Sequence, residues 1–135
     1  KRVVTVSYDI TALLWDAETG ALLLTVAADC GPAFSCAYSP DGKRVVTGNG
    51  DQTVQIWDAW FGDELLALKG HTNSVWSCAF SPDGTRVWTA GNRVSVPTLQ
   101  LWDAESGVLQ ETFEGHNFCV TSCAFSPDGK RLATA

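Results

Sequence analysis

Short stretches of alternating apolar and polar residues, separated by turn residues, run the length of the chain. In Thr53-Val54-Gln55-Ile56-Trp57, Val54 and Ile56 fall on one face and the polar residues on the other, the period of a half-buried strand. Runs of the same kind recur at 2–5, 44–47 and 86–89, then at 11–16, 53–58 and 98–103, and again at 21–27, 64–68 and 108–113. A further strand is expected where the sequence reads Ser-Val-Trp-Ser-Cys-Ala-Phe, at 74–80. The turns between these runs carry their own chemistry. Glu18-Thr19-Gly20 and Glu105-Ser106-Gly107 are tight turns, and Ser-Pro-Asp-Gly ends the 74–80 strand. There Pro presets φ, Asp caps the turn and Gly accepts a positive φ. No stretch has a helical period, so the pattern predicts an all-β chain.

The strands are copies of one unit. Residues 35–42 read SCAYSPDG, and both 77–84 and 122–129 read SCAFSPDG, at offsets of 42 and 45 residues. A fixed period of roughly 40–45 residues marks a repeat architecture, each repeat being one supersecondary unit. With Lys-Arg (Thr-Arg at 85–86) as phase marker, the expected repeats are 1–42, 43–84 and 85–129, and 130–135 starts a fourth.

Two more signatures keep this period: Trp15-Asp16, Trp57-Asp58 and Trp102-Asp103, and Gly70-His71 and Gly115-His116. Gly-His, the octapeptide and then Trp-Asp together resemble the WD-repeat (tryptophan–aspartate repeat) β-propeller family, over essentially the whole chain. The resemblance implies four-stranded antiparallel blades with the octapeptide strand innermost. Repeat and blade are then out of phase. The chain is expected to hold the last three strands of one blade (2–27), two full blades (33–68 and 74–113) and the inner strand of another (119–126). About three blades cannot close a ring that typically needs four to eight. The fold class expected is thus an all-β propeller segment, not closed by one chain.

The resemblance also implies a hydrogen-bond chain in each blade, running through a His, a Ser or Thr, a turn Asp and the Trp. It maps onto Thr5, Asp9 and Trp15; onto Thr47, Asp51 and Trp57, with Asp29 at the His position; onto His71, Thr89 and Trp102; and onto His116 and Thr134. No blade holds all four members, but His116 with Thr5, Asp9 and Trp15 would complete one. Two origins suit this. The chain is an excerpt of a longer array, or copies close on one another as a six-bladed dimer or nine-bladed trimer. Lys130 to Ala135 duplicate the first strand and would compete with it in a closed ring.

Composition adds limits. Fifteen acidic against nine basic residues give a net charge of −6, which disfavours nucleic acid and anionic membranes as partners. No apolar run approaches the roughly 20 residues that span a bilayer. The absence of Met leads us to expect a processed product or a piece of something longer. Of five cysteines, Cys36, Cys78 and Cys123 share one repeat position, as buried small hydrophobes do. With Cys30 and Cys119 the count is odd and no CxxC occurs, so free thiols in a reducing, cytoplasmic compartment are expected.

Catalysis is not expected. Thr, His and Asp could suggest a nucleophilic triad, but a threonine buried on a second strand has no pocket and no oxyanion donor beside it. His116, Cys119 and Cys123 could ligate zinc only in a compact turn; in a strand the two cysteines lie about 13 Å apart at roughly 3.3 Å per residue. No metal, no cofactor and no phosphate loop are expected. Surface remains. The resemblance implies a protein- or peptide-binding face at the entrance of the central channel, just before each inner strand. It falls on Pro32 and Phe34, Ser74 and Trp76, Cys119 and Thr121, with Tyr8, Gly50, Asn92 and Arg93 from the turns. Trp and Tyr are frequent interface anchors. At the opposite end, Trp60 and Phe61 replace the polar Glu-Thr and Glu-Ser of the sister turns, and are a second candidate contact. Trp88 is expected to fill space between blades. The expected function is a non-catalytic interaction scaffold, part of a larger propeller, with further copies of the chain as the alternative partner.

Overall fold

The computed structural model describes residues 1–27, 31–91 and 98–135. Their thirteen strands form four antiparallel meanders. The first meander joins β1 (Arg2–Val6), β2 (Thr11–Asp16) and β3 (Leu22–Ala27). The second is β4 (Ala33–Tyr38), β5 (Arg44–Asn49), β6 (Val54–Asp58) and β7 (Glu64–Leu68). The third is β8 (Val75–Phe80), β9 (Arg86–Gly91), β10 (Thr98–Asp103) and β11 (Leu109–Phe113), and the last pairs β12 (Cys123–Phe125) with β13 (Leu132–Thr134). Each meander is a propeller blade or part of one, in the phase the repeats predict. The last differs in detail. The inner strand expected over 119–126 is confined to three residues, and the 130–135 segment supplies its partner strand. With only one short neighbour, β12 has little to extend its ladder.

The core lies between blades. Ala12, Leu14 and Val26 of the first meet Val45, Trp57 and Ala59 of the second. Val46, Val54, Ile56 and Leu68 of the second meet Val75, Cys78, Phe80, Val87 and Trp102 of the third. Adjacent residues of β5 thus serve opposite faces, Val45 one blade and Val46 the other. Each buried valine is worth roughly 1.5–3 kcal/mol, so the middle blade is the most firmly held. β11 is exposed at every residue. Trp88 of β9 reaches outward to Phe125 of the last pair at 6.4 Å, and to Phe113 at 4.9 Å.

The repeated octapeptide acts between blades as well as within them. The backbone N–H of Cys78 donates to Ser35 Oγ at 3.1 Å, and that of Cys123 to Ser77 Oγ at 3.0 Å. Each inner strand is thereby stitched to the next through the first two residues of SCAF. Within a blade the Ser-Pro-Asp-Gly turn closes on itself. Ser39 Oγ donates to Asp41 and accepts from the Arg44 N–H, while Asp41 accepts from the Lys43 N–H. Gly42 takes φ 69° to complete it. In the equivalent turn, Ser81 and Thr85 hold the Asp83 carboxyl down to about 2.

Candidate interaction surface

Antiparallel pairing gives each blade two ends. The starts of β4 and β8 share one end with the turns that follow β1 and β5. The Ser-Pro-Asp-Gly turns and the Trp-Asp turns share the other.

At the first end the inner strands are bulged. Ala33 pairs with Asn49 and Ser35 with Gly48, so Phe34 is the extra residue. Val75 pairs with Gly91 and Ser77 with Ala90, so Trp76 is the extra residue in turn. A bulge re-aims the side chain of its extra residue. Here both rings leave the ladder and stack on each other, with centroids 4.5 Å apart and planes 5° from parallel. Tyr8 adds an edge-on contact to Phe34 at 5.3 Å. The result is a row, Tyr8–Phe34–Trp76, crossing three blades, with Tyr8 74% and Trp76 40% exposed. Gly50 makes room for it: a Cβ there would stand 3.3 Å from the Phe34 ring and 3.1 Å from Pro32. Ser74 Oγ donates to the Gly50 carbonyl at 3.0 Å, and the Gly50 N–H to Pro32 O at 2.8 Å.

The structure therefore brings Tyr8, Pro32, Phe34, Gly50, Ser74 and Trp76 into one patch. Thr121, the next position in the series, is exposed and carries no ring; its N–H donates to Ala135 O at 2.7 Å. Cys119 is half-buried. Asn92 and Arg93 lie outside the described residues, as does Asp29. Phe118, 82% exposed, was not among the candidates, because its repeat position holds Asn73 in the sister blade and the family pattern draws attention to the residues after it.

A side-chain relay recurs along the blades, buried in the second and third and exposed in the first and last. His71 Nε2 and Thr89 Oγ1 stand 2.6 Å apart, and Trp102 Nε1–H donates to Thr89 Oγ1 at 2.8 Å. Trp57 and Thr47 repeat the second bond at 3.0 Å, Trp15 and Thr5 at 2.9 Å, and His116 and Thr134 repeat the first at 2.6 Å. The bonds described for Asp9 and Asp51 do not reach this relay. Each carboxylate accepts from the N–H and hydroxyl of the threonine two residues on, Thr11 or Thr53, and closes its own turn. His71 Nδ1 is buried with no partner among the described residues.

The geometry offers little to catalysis. Thr89 is fully buried, with its hydroxyl engaged by His71 and Trp102. Burial pushes the Cys36 thiol up to about 11 and that of Cys78 to about 12, so neither is a thiolate at neutral pH. Among the described residues no group of three or more His, Cys, Asp or Glu could hold a metal ion.

At the other end, the Trp-Asp turn of the second blade presents Trp60 and Phe61, the latter 78% exposed. The Arg2 guanidinium lies 3.7 Å over the Trp60 ring and donates to Ala59 O at 2.8 Å.

Four blade-like meanders, the last three stitched through their inner strands, with a Trp–Thr bond in each Trp-Asp unit, define a segment of a β-propeller. The chain belongs to the WD-repeat family: the family described as "WD domain, G-beta repeat" matches residues 20–58, 62–93 and 107–135, more than half of the chain. Such repeats generally serve as non-catalytic scaffolds for protein–protein interaction. No curated protein matches the chain.

Proposed function

We propose that this chain is part of a larger WD-repeat propeller and binds a protein or peptide across the end that carries Tyr8, Phe34 and Trp76. The observation that supports this reading is the stacked aromatic row itself. Two inner-strand bulges turn large rings outward, where burying them in the core would have been worth more to the fold alone. Rings already stacked lose little freedom on binding, which suits them as anchors. The free thiols of Cys36, Cys78 and Cys123 fit a reducing, cytoplasmic setting, and the net charge of −6 speaks for protein over nucleic acid or membrane as partner. Trp76→Ala is expected to weaken capture of partner protein by about 30-fold, the scale of an interface hot spot. Its thermal unfolding should stay close to wild type, since the bulge ring leaves the ladder intact. A collapse of the unfolding midpoint would make Trp76 a packing residue and remove this face from consideration.

A second reading has its own observation: the two partial blades are complementary. His116, ahead of β12, and Thr134 of β13 belong to the last pair, while β1 and β2 carry Thr5 and Trp15. Copies of the chain could complete one another's blades if β1 of one took the place of β13 in another, bringing His116, Thr5 and Trp15 into the arrangement of His71, Thr89 and Trp102. Light scattering on the purified 135-residue chain tests it. A monodisperse dimer or trimer is expected on this reading, and polydisperse or insoluble material counts against it.

A further inference from the structure

The blades serve as controls for one another, and three departures of the second blade meet at one place. Trp60 and Phe61 stand where the next turn has Glu105 and Ser106, and Tyr38 stands where the other octapeptides have Phe80 and Phe125. Trp60 and Tyr38 line a groove with Lys1, Arg2 and Pro40, between the first two blades and at the end away from the aromatic row. Phe61 flanks it on the same turn.

The equivalent groove between the second and third blades is lined by Arg44, Asp83, Asp103 and Glu105. There both terminal nitrogens of Arg44 are engaged, with Nη1 donating to Ala104 O at 2.8 Å and Nη2 to Gly84 O at 2.9 Å. In the first groove the one hydrogen bond of the Arg2 side chain among the described residues goes to Ala59 O, and its flat face lies on Trp60. The carbonyl of Gly42, counterpart of Gly84, receives no described bond from it. One groove is therefore acidic with a tied-down arginine. The other is cationic and aromatic, and its arginine has donors to spare. Tyr38 brings a second unmet need. Its hydroxyl is buried without a hydrogen-bond partner among the described residues, a position that is costly unless an acceptor arrives.

We propose that this groove binds an acidic peptide segment, in which an Asp or Glu carboxylate meets Arg2 and Lys1 and a neighbouring apolar side chain packs on Trp60 and Phe61. A carboxylate matches the guanidinium fork, and an arginine stacked on tryptophan is pre-oriented for such a bond. It also supplies an acceptor beside Tyr38. Charge complementarity is local, because a cationic groove sits in a chain of net charge −6, and that overall charge repels a long polyanion while a short acidic segment docks at the groove alone.

The test uses the 135-residue chain and a short, end-blocked, fluorescein-labelled peptide of alternating glutamate and leucine, followed by fluorescence anisotropy. The glutamate peptide should bind, and its glutamine counterpart should bind at least about tenfold more weakly, the scale of a lost charge-assisted bond. Trp60→Glu with Phe61→Ser restores the sister turn, so the fold is kept while binding is lost. Tyr38→Phe restores the sister octapeptide and should weaken binding severalfold without harming the fold. Trp76→Ala should leave this binding unchanged, which separates it from the aromatic row. Failure of the glutamate peptide to bind, equal binding of the glutamine peptide, full binding by the Trp60/Phe61 double variant, or tighter binding of an oligothymidine would each overturn the proposal.

Discussion

Trp102→Ala is expected to destabilise the chain by about 3–5 kcal/mol, the usual cost of emptying a buried tryptophan site, whereas Trp15→Ala at the same repeat position should cost far less. The two residues are equivalent in sequence and in their indole–threonine bond, but their surroundings differ. Trp102 is 1% exposed, within the cluster that joins the second and third blades. Its ring fits so closely against the preceding loop that a Cβ on Gly70 would stand 2.9 Å from it. Removing it leaves a cavity on the seam between blades and takes away the N–H that Thr89 accepts. Trp15 is half-buried, at the blade with no inner strand of its own. A loss of this size is a large part of the roughly 5–15 kcal/mol that stabilises a domain. Urea unfolding of both variants, followed by circular dichroism, checks it. Equal losses at the two sites would mean that the between-blade core does not carry the stability.

Most of the fold was open to sequence reading because it is periodic. The octapeptide, the Trp-Asp pairs and the two Gly-His pairs place each strand in its blade, and they also show that the chain enters and leaves in mid-blade. Pairing register is harder to read. Phe34 and Trp76 alternate correctly as strand residues, and only the partner strands show that each is the extra residue of a bulge. The patch was thus legible as a set of positions, while the stack of rings within it was not. The same limit applies to Asn49. It occupies the position of Gly91, where a Cβ would stand 2.3 Å from His71 Nδ1. A blade with its histidine therefore needs glycine there. In the second blade Asn49 is buried instead, donating to Gln55 at 3.1 Å and Thr53 at 3.2 Å, and Gln55 in turn to Glu64 at 2.6 Å. The third blade spends its equivalent glutamine, Gln100, on the Gly70 carbonyl beside His71. Such exchanges couple residues many positions apart in ways that no single position displays. The free edge of Arg2 is similar, since it shows only when its bonds are compared with those of Arg44.

His71 should make the fold acid-sensitive well before its carboxylates do. Burial lowers its imidazole from 6.5 to about 4, because the charged form would lose its hydration among Trp102, Thr89 and Gly91 with Nδ1 unpartnered. Between those values the unfolded chain binds a proton that the folded chain refuses. Stability therefore falls as pH drops from about 6.5 to about 4, by up to about 3 kcal/mol. Below about 4 both states hold the proton, and His71 adds no further loss. The turn carboxylates act in a separate window. Asp83 is held at about 2 against 3.8, so its contribution is present above 3.8 and fades only as pH falls towards 2. Chemical denaturation at a series of pH values should show the histidine slope in the wild type and its loss in His71→Gln, with the lower window unchanged. A slope between pH 6.5 and 4 that persists in His71→Gln would place the acid-sensitive group elsewhere. Because His71 fastens the third blade's loop to β9 through Thr89, the same experiment measures how far one buried imidazole holds the base on which the Trp76 end of the aromatic row is built.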